Sequence, residues 1–370
     1  MITAHSDVVG SLLRPRELLE ARQALRKGSL SYAELKRVED RAVDAAVALQ
    51  EAAGLEVVTD GEMRRLSFQS QLPDAVEGFG EWELDAFLWG DWHGDEAVGD
   101  VSRARPARLG VTNQLKRVRS LSAEEFTYLR ARTSRTPKIT LPSPSLWANF
   151  WSPEVSSSAY PTLEAFLADV AQILRDEVAE LVGLGATYIQ LDAPHYPLLL
   201  DPKTRAFYES RGWTLQHWLS QGIALDNTVM DGFPDVTFGL HLCRGNQGSR
   251  WLVEGDYEPI AEPIFRQTHA QRLLLEYDDA RSGSFEPLRR VPEDKFVVLG
   301  LVSTKSSRQE SLEQLTERIE LASHFIPLPR LAVSPQCGFA SSVVGNTISP
   351  AAQAEKLRIV GEVARRMWPA

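Results

Sequence analysis

The feature that most constrains this chain is an alternation. Eight short runs rich in Val, Ile and Leu are separated by segments with helical periodicity. The runs are HSDVVG (5–10), LEVVTD (55–60), KITLPS (138–143), TYIQLD (187–192), VTFGLHLC (236–243), RLLLEYD (272–278), FVVLGLV (296–302) and RLAVSPQC (330–337). Such runs, each followed by a helix, mark βα units around a parallel sheet. Eight in series predict an α/β fold, the (β/α)8 barrel. Two of the helices are explicit, SYAELKRVEDRAVDAAVALQEAAG (31–54) and TLEAFLADVAQILRDEVAELVGLG (162–185). Each has a hydroxyl residue near its start and a glycine where a helix stops, just before the next strand.

The rhythm breaks at about 69–136, which is expected to be an insertion on a single barrel domain spanning 1–370. Its first half is aromatic, acidic and glycine-rich. Within its second half, GVTNQLKRVRS (110–120) predicts an extra strand, and SAEEFTYLRART (122–133) a short helix with a capping box from Ser122 to Glu125. The stretch 78–95 suits either a lid or a homo-oligomer contact, and the sequence leaves both open.

Charge and hydropathy exclude some partners. Fifty acidic against 40 basic residues give a net charge of -10, so no counter-ion release favours a nucleic-acid partner. No stretch approaches the roughly eighteen uninterrupted apolar residues of a membrane span. The start, MITAHSDVVGSLLRPRELLEAR, lacks the basic and apolar regions of a secretion signal. A cytoplasmic protein acting on small molecules is the expectation, with neither membrane nor nucleic acid as partner.

A barrel enzyme carries its chemistry where its strands end, and here those ends are polar. The first run leads into Ser11, the second into Glu62, the fourth into Asp192, the fifth into His241 and Cys243, the sixth into Glu276, the seventh toward Lys305 and the eighth into Cys337. His241 and Cys243 are two apart on a strand and face the same side. Alone, that pair is weak evidence, because most free cysteines are small buried hydrophobes. Joined by Cys337 and Glu276 it becomes an imidazole, two thiolates and a carboxylate, a tetrahedral set that suits zinc better than a hard cation.

At this point the chain resembles the cobalamin-independent methionine synthase family, in the form of the stand-alone catalytic barrel. HLCRGN (241–246), SPQCG (334–338) and LLLEYDDARSG (273–283) carry the resemblance, with VVGSLLRP (8–15), VVTDGEMRR (57–65) and YIQLDAP (188–194) in the same order. The resemblance implies a zinc held by His241, Cys243, Glu276 and Cys337 that binds the thiol of homocysteine, often displacing the carboxylate, before the sulfur takes a methyl group. It also implies that Ser11, Glu62 and Asp192 hold the amino-acid end; two carboxylates are a good match for an ammonium. Three features depart from the long members of the family. Ala193 replaces a glutamate, Lys305 lies where a histidine is expected after the seventh strand, and the N-terminal half-enzyme is lacking. All three concern the methyl donor, for which a folate, a corrinoid or another alkyl carrier stays open.

Further candidates each have a bland counterpart. Lys305 is read as a general acid or a solvated loop lysine, and His195 as a substrate contact or proton shuttle or a surface histidine. Arg244 and Asn246 suit an anion site or a turn; Trp147 and Trp151 suit a stacking surface or loop packing. The resemblance extends to two other chemistries: an epoxyalkane:coenzyme M transferase, which alkylates a sulfonate thiol, and the zinc-free uroporphyrinogen decarboxylase barrels. A sulfonate has no amine and calls for arginines, and Arg64, Arg65 and Arg244 keep that option in play.

Overall fold

The computed structural model describes residues 1–81, 92–94, 109–210 and 212–369. Strand β1 (Val57–Val58) is followed by the antiparallel partners β2 (Val76–Glu81) and β3 (Leu109–Arg117), and β4 (Thr136–Pro137) returns to pair with β1 in parallel. Strands β5 (Ile139–Pro142), β6 (Tyr188–Asp192), β7 (Thr237–Leu242), β8 (Arg272–Glu276), β9 (Phe296–Val302) and β10 (Leu331–Pro335) form one parallel sheet, each beside its sequence neighbour. The N–H of Lys138, between β4 and β5, donates to Val58 O at 2.9 Å, so 136–142 works as one barrel strand.

The ring closes through the start of the chain. Ser6 forms a parallel bridge with Val333 of β10. On its other side the Glu56 carboxylate accepts from the N–H groups of His5 and Ser6 at 2.8 and 2.9 Å, and Thr59 Oγ1 donates to Gly10 O at 2.6 Å. Side chains replace a ladder here, which is why the predicted runs 5–10 and 55–60 shrink to one bridge and to Val57–Val58. The eight parallel segments in sequence order make the (β/α)8 barrel.

Both predicted helices are present. Tyr32–Ala52 is capped by Ser31 with Glu34 in a full capping box, and Leu163–Gly183 is capped by Thr162. The predicted extra strand is β3. The capping box at Ser122 does not form, although the helix Ala123–Arg130 does. Buried Arg65 draws the Glu125 carboxylate away at 2.7 Å, and the Ser122 N–H donates to Glu177 instead. Most of 78–95 lies outside the described residues, so the lid and oligomer readings have no structural counterpart here. Among the described residues no helix is long and apolar enough to cross a membrane.

The barrel interior is part apolar and part ionic. Leu274, Val298 and Ala332 pack as one small cluster. Tyr188, Gln190 and Asp192 alternate along β6 and therefore share a face. They join a polar column that begins at Asp7, whose carboxylate takes Lys138 at 2.8 Å, Tyr188 at 2.7 Å and Arg272 at 3.2 Å. Burial alone would raise the Asp7 pKa, but Lys138 and Arg272 hold it below the usual range. Lys138 also donates to Gln190 Oε1 at 2.7 Å, and Gln190 Nε2 donates to Asp192 Oδ1 at 2.7 Å. The column thus fixes the Asp192 carboxylate at the end of β6.

Candidate metal and thiol site

A cavity of about 650 Å³ is lined by Ser11, Glu62, Asp192, His241, Cys243 and Cys337, six of the expected site residues. The ligand atoms of His241, Cys243 and Cys337 lie within 4.8 Å of one another. The two sulfurs are 3.3 Å apart and unbonded. Neither ring nitrogen of buried His241 has a hydrogen-bond partner, an expensive arrangement unless something else binds there. Contact with Cys243 and the nearby His241 hold the Cys337 thiol well below the usual thiol range, while contact with Cys337 and burial push Cys243 up. An orphaned imidazole facing two thiols, one of them readily ionised, fits a soft or borderline cation such as zinc.

The predicted fourth ligand is held differently. Glu276 is fully buried, yet it does not belong to the three-residue group. Its Oε1 accepts from Arg281 at 2.7 Å and from Lys305 at 3.4 Å, and its Oε2 from the Arg244 N–H at 2.9 Å. Burial would raise its pKa, but Lys305, Arg281 and Arg244 bring it down to about 2. Lys305 does not line the cavity; its ammonium is spent on Glu276.

The two carboxylates of the expected ammonium grip do reach the cavity. Burial pushes Asp192 up to about 7, with His241 opposing and Glu62 adding to the rise. Glu62 sits at φ 55°, directly after Gly61 at φ 70°. A left-handed glutamate is costly and needs support. Support comes from Asp60, which accepts from the Glu62 N–H at 2.9 Å, and from Arg14, which donates to the Glu62 carbonyl at 3.1 Å. The reward is position: Thr140 Oγ1 donates to Glu62 Oε1 at 3.0 Å, and Oε2 is left without a partner. Glycine at position 10 leaves room for this carboxylate, since a Cβ there would stand 2.5 Å from Glu62 Oε1.

The three arginines expected near a sulfonate, Arg64, Arg65 and Arg244, do not line the cavity, whereas the exposed Arg26 does. Arg64 donates to Asp40 at 2.6 Å and Arg65 is clamped on Glu125. Arg244, fully buried over the Tyr257 ring, donates to the carbonyls of Gly255, Glu276 and Ser282, so it shapes the loops rather than an anion site. Asn246 lines the cavity and ties Gly338 O at 2.6 Å.

The structure does not bring His195 to the cavity. Its Nε2 is hydrogen-bonded to Ser145 Oγ at 2.7 Å, its ring lies 4.2 Å from Tyr196, and burial depresses its pKa to about 3, so it stays neutral. Trp147 lines the cavity but Trp151 turns away, its Nε1 donating to Tyr160 O at 3.1 Å. Sequence reasoning missed Phe150, Phe68 and the loop at 341–344, which complete the wall. Phe150 was signalled only by its place three residues after Trp147. The loop joins residues 66–68 through an antiparallel bridge between Ser67 and Ser342, a tertiary pairing with no local pattern.

Comparison with known proteins agrees with this architecture. Residues 1–358 match the family described as "Cobalamin-independent synthase, Catalytic domain". The chain is 33% identical to the uncharacterized protein YxjH of Bacillus subtilis over 368 residues, covering 98% of this chain and 94% of that one. It is 24% identical to a methionine synthase of Pyrococcus abyssi over 90% of this chain and 85% of the relative. In fold it is similar to a B12-independent methionine synthase from Shewanella solved with selenomethionine, at a TM-score of 0.73 and 20% identity, with 98% and 97% of the two chains covered. Barrel, cavity and match over nearly the whole length agree: the chain belongs to the cobalamin-independent methionine synthase family, as a catalytic barrel.

Proposed function

We propose that this protein is a zinc-dependent thiol methyltransferase that converts homocysteine to methionine. The observation that carries the reading is one cavity whose lining brings His241, Cys243 and Cys337 together with the carboxylates of Glu62 and Asp192. His241, Cys243 and Cys337 would hold the zinc. When bound, the metal turns a thiol that is only a few per cent ionised near neutral pH into a thiolate nucleophile.

The chain's own groups do the rest. Glu62 and Asp192 bind the α-ammonium and so fix the sulfur's reach, and Ser11 supplies a hydroxyl beside them. The buried column below holds Asp192 in place through Gln190 and Lys138. Trp147 and Phe150, packed on each other with ring centroids 4.6 Å apart, form an apolar part of the cavity wall against which a methyl donor could rest. The selenomethionine bound to the Shewanella relative, an analogue of the expected product, supports an amino-acid occupant. A coenzyme M type thiol is disfavoured because a sulfonate would meet the two buried carboxylates, while the guanidinium that lines the cavity belongs to the exposed Arg26.

The test is calorimetric titration of the zinc-loaded protein with homocysteine and with coenzyme M. Homocysteine should bind with release of about one proton, since the metal takes the thiolate. Coenzyme M should bind at least tenfold more weakly. If the protein retains no zinc after reconstitution under reducing conditions, the metal reading fails. If coenzyme M is the tighter ligand, the amino-acid reading fails.

A further inference from the structure

We propose that Arg14 is a positioning residue that staples together the loops carrying Glu62 and Cys337 across the seam of the barrel, and so sets the ammonium grip against the thiol end of the cavity. The inference rests on the homocysteine reading above and adds to it a role for a residue outside the cavity lining.

The seam is where the ring of strands is least regular. Between β10 and β1 the ring closes through the bridge of Ser6 with Val333 and through the Glu56 side chain, where a continuous ladder would otherwise hold the strand ends in register. Three of the six expected residues that line the cavity stand on the loops leaving this seam: Ser11 after the first run, Glu62 after β1 and Cys337 after β10. Their relative placement must therefore be fixed by the loops themselves. Backbone bonds supply part of it: the Leu12 N–H donates to Gly61 O at 3.0 Å, and the Phe339 N–H donates to Ser11 O at 2.8 Å.

Arg14 supplies the rest. On one side its guanidinium donates to Glu62 O at 3.1 Å and to Arg65 O at 3.0 and 3.2 Å; on the other it donates to Ala340 O at 2.8 Å and Ser342 O at 3.0 Å. All of these acceptors are backbone carbonyls, so the planar fork acts as a template for two turns rather than as the partner of an acid. Arg14 is buried, and burial pulls its pKa down to about 10, which leaves it charged near neutral pH. Through the Glu62 carbonyl it bears on a residue whose φ of 55° needs outside support. Through Ala340 it bears on the turn that follows Cys337. A lysine would keep the charge, but its single ammonium on a flexible stem has no rigid fork with which to span both turns.

The test compares homocysteine with 4-mercaptobutanoate, the same thiol acid without its amine, by calorimetry on the zinc-loaded full chain. The wild type should prefer homocysteine, because Glu62 and Asp192 take its ammonium. In Arg14→Lys and Arg14→Met that preference should fall roughly tenfold or more, the worth of one charge-assisted bond, with zinc content and 4-mercaptobutanoate affinity unchanged. Such a selective loss is a readout that a merely structural arginine would not give. A preference kept in full by the folded variants overturns this inference alone. Equal weakening of both thiols also overturns it, and so does loss of the fold in both variants, since either result assigns Arg14 to the stability of the barrel. A wild type that does not prefer homocysteine to 4-mercaptobutanoate overturns the amino-acid reading and this inference with it.

Discussion

Asp226 shows how the wall of the cavity is rooted, and it yields a quantitative test. It lies on the helix Leu215–Met230 with 1% exposure. One carboxylate oxygen accepts from Ser143 Oγ at 2.6 Å and the other from Tyr196 OH at 2.7 Å, and among the described residues no cation pairs with it. Ser143 and Ser145 begin the segment that carries Trp147 and Phe150, so this acid braces the aromatic wall. Burial pushes its pKa from 3.8 up to about 7. Between these values the folded state holds a proton that the unfolded state has lost, so stability falls as pH rises, by about 1.4 kcal/mol per unit. The contribution is complete below pH 3.8 and gone above about 7, some 4 kcal/mol in all. Asp226→Asn keeps the shape and has no proton to lose. In urea unfolding at a series of pH values from 4 to 7.5, the variant should gain on the wild type by roughly 4 kcal/mol across the interval. A wild-type-minus-variant difference that stays flat with pH would refute the argument that Asp226 is buried neutral.

Two further substitutions address the ammonium grip. Asp192→Asn removes one charge without changing shape, and a charge-assisted hydrogen bond is worth roughly 1.5–3 kcal/mol, so homocysteine affinity should drop about ten- to hundredfold with zinc content unchanged. Calorimetry that finds the same affinity in both proteins sinks the amino-acid assignment. Gly10→Ala places a Cβ 2.5 Å from Glu62 Oε1 and 3.1 Å from Thr140 Cγ2, so the Glu62 carboxylate must move. The expected result is a raised KM for homocysteine with little effect on metal binding; an unaltered KM would mean that Glu62 is not at the substrate.

How much of this was legible in the sequence follows from which interactions are local. The barrel was legible because apolar runs and helical periodicity are written into neighbouring residues, and the ends of the strands pointed to the residues of the candidate metal group, beginning with the spacing of His241 and Cys243. Strand closure was less legible, since residues 5–10 join the ring through one bridge and the Glu56 side chain. The capping box at Ser122 failed for the same kind of reason. Glu125 is a good local partner, but Arg65, buried with 2% exposure, offers it a stronger one from 60 positions away. His195 read as a loop histidine at the mouth, and the short helix His195–Leu198 turns it inward to Ser145.

The arginines carry the argument one step further. In the sequence, Arg64, Arg65 and Arg244 stand beside the residues of the mouth and look available to an anion. Their fates depend on Asp40, Glu125 and the carbonyls of Gly255 and Ser282, all supplied by other segments. Releasing Arg65 would leave buried Glu125 without its cation, and releasing Arg244 would leave a set of carbonyls without a partner, whereas the half-buried Asp40 that holds Arg64 also pairs with Lys36. Arg64, Arg65 and Arg244 are thus withdrawn from the cavity lining, which keeps Glu62, Asp192 and the exposed Arg26; under the proposed function this arrangement favours a thiol that carries an amine. The same withdrawal commits Lys305 to Glu276. If the proposed function holds, a homologous barrel that kept the His and Cys group but freed Arg65, by losing Glu125, would be expected to accept a sulfonate or carboxylate thiol more readily.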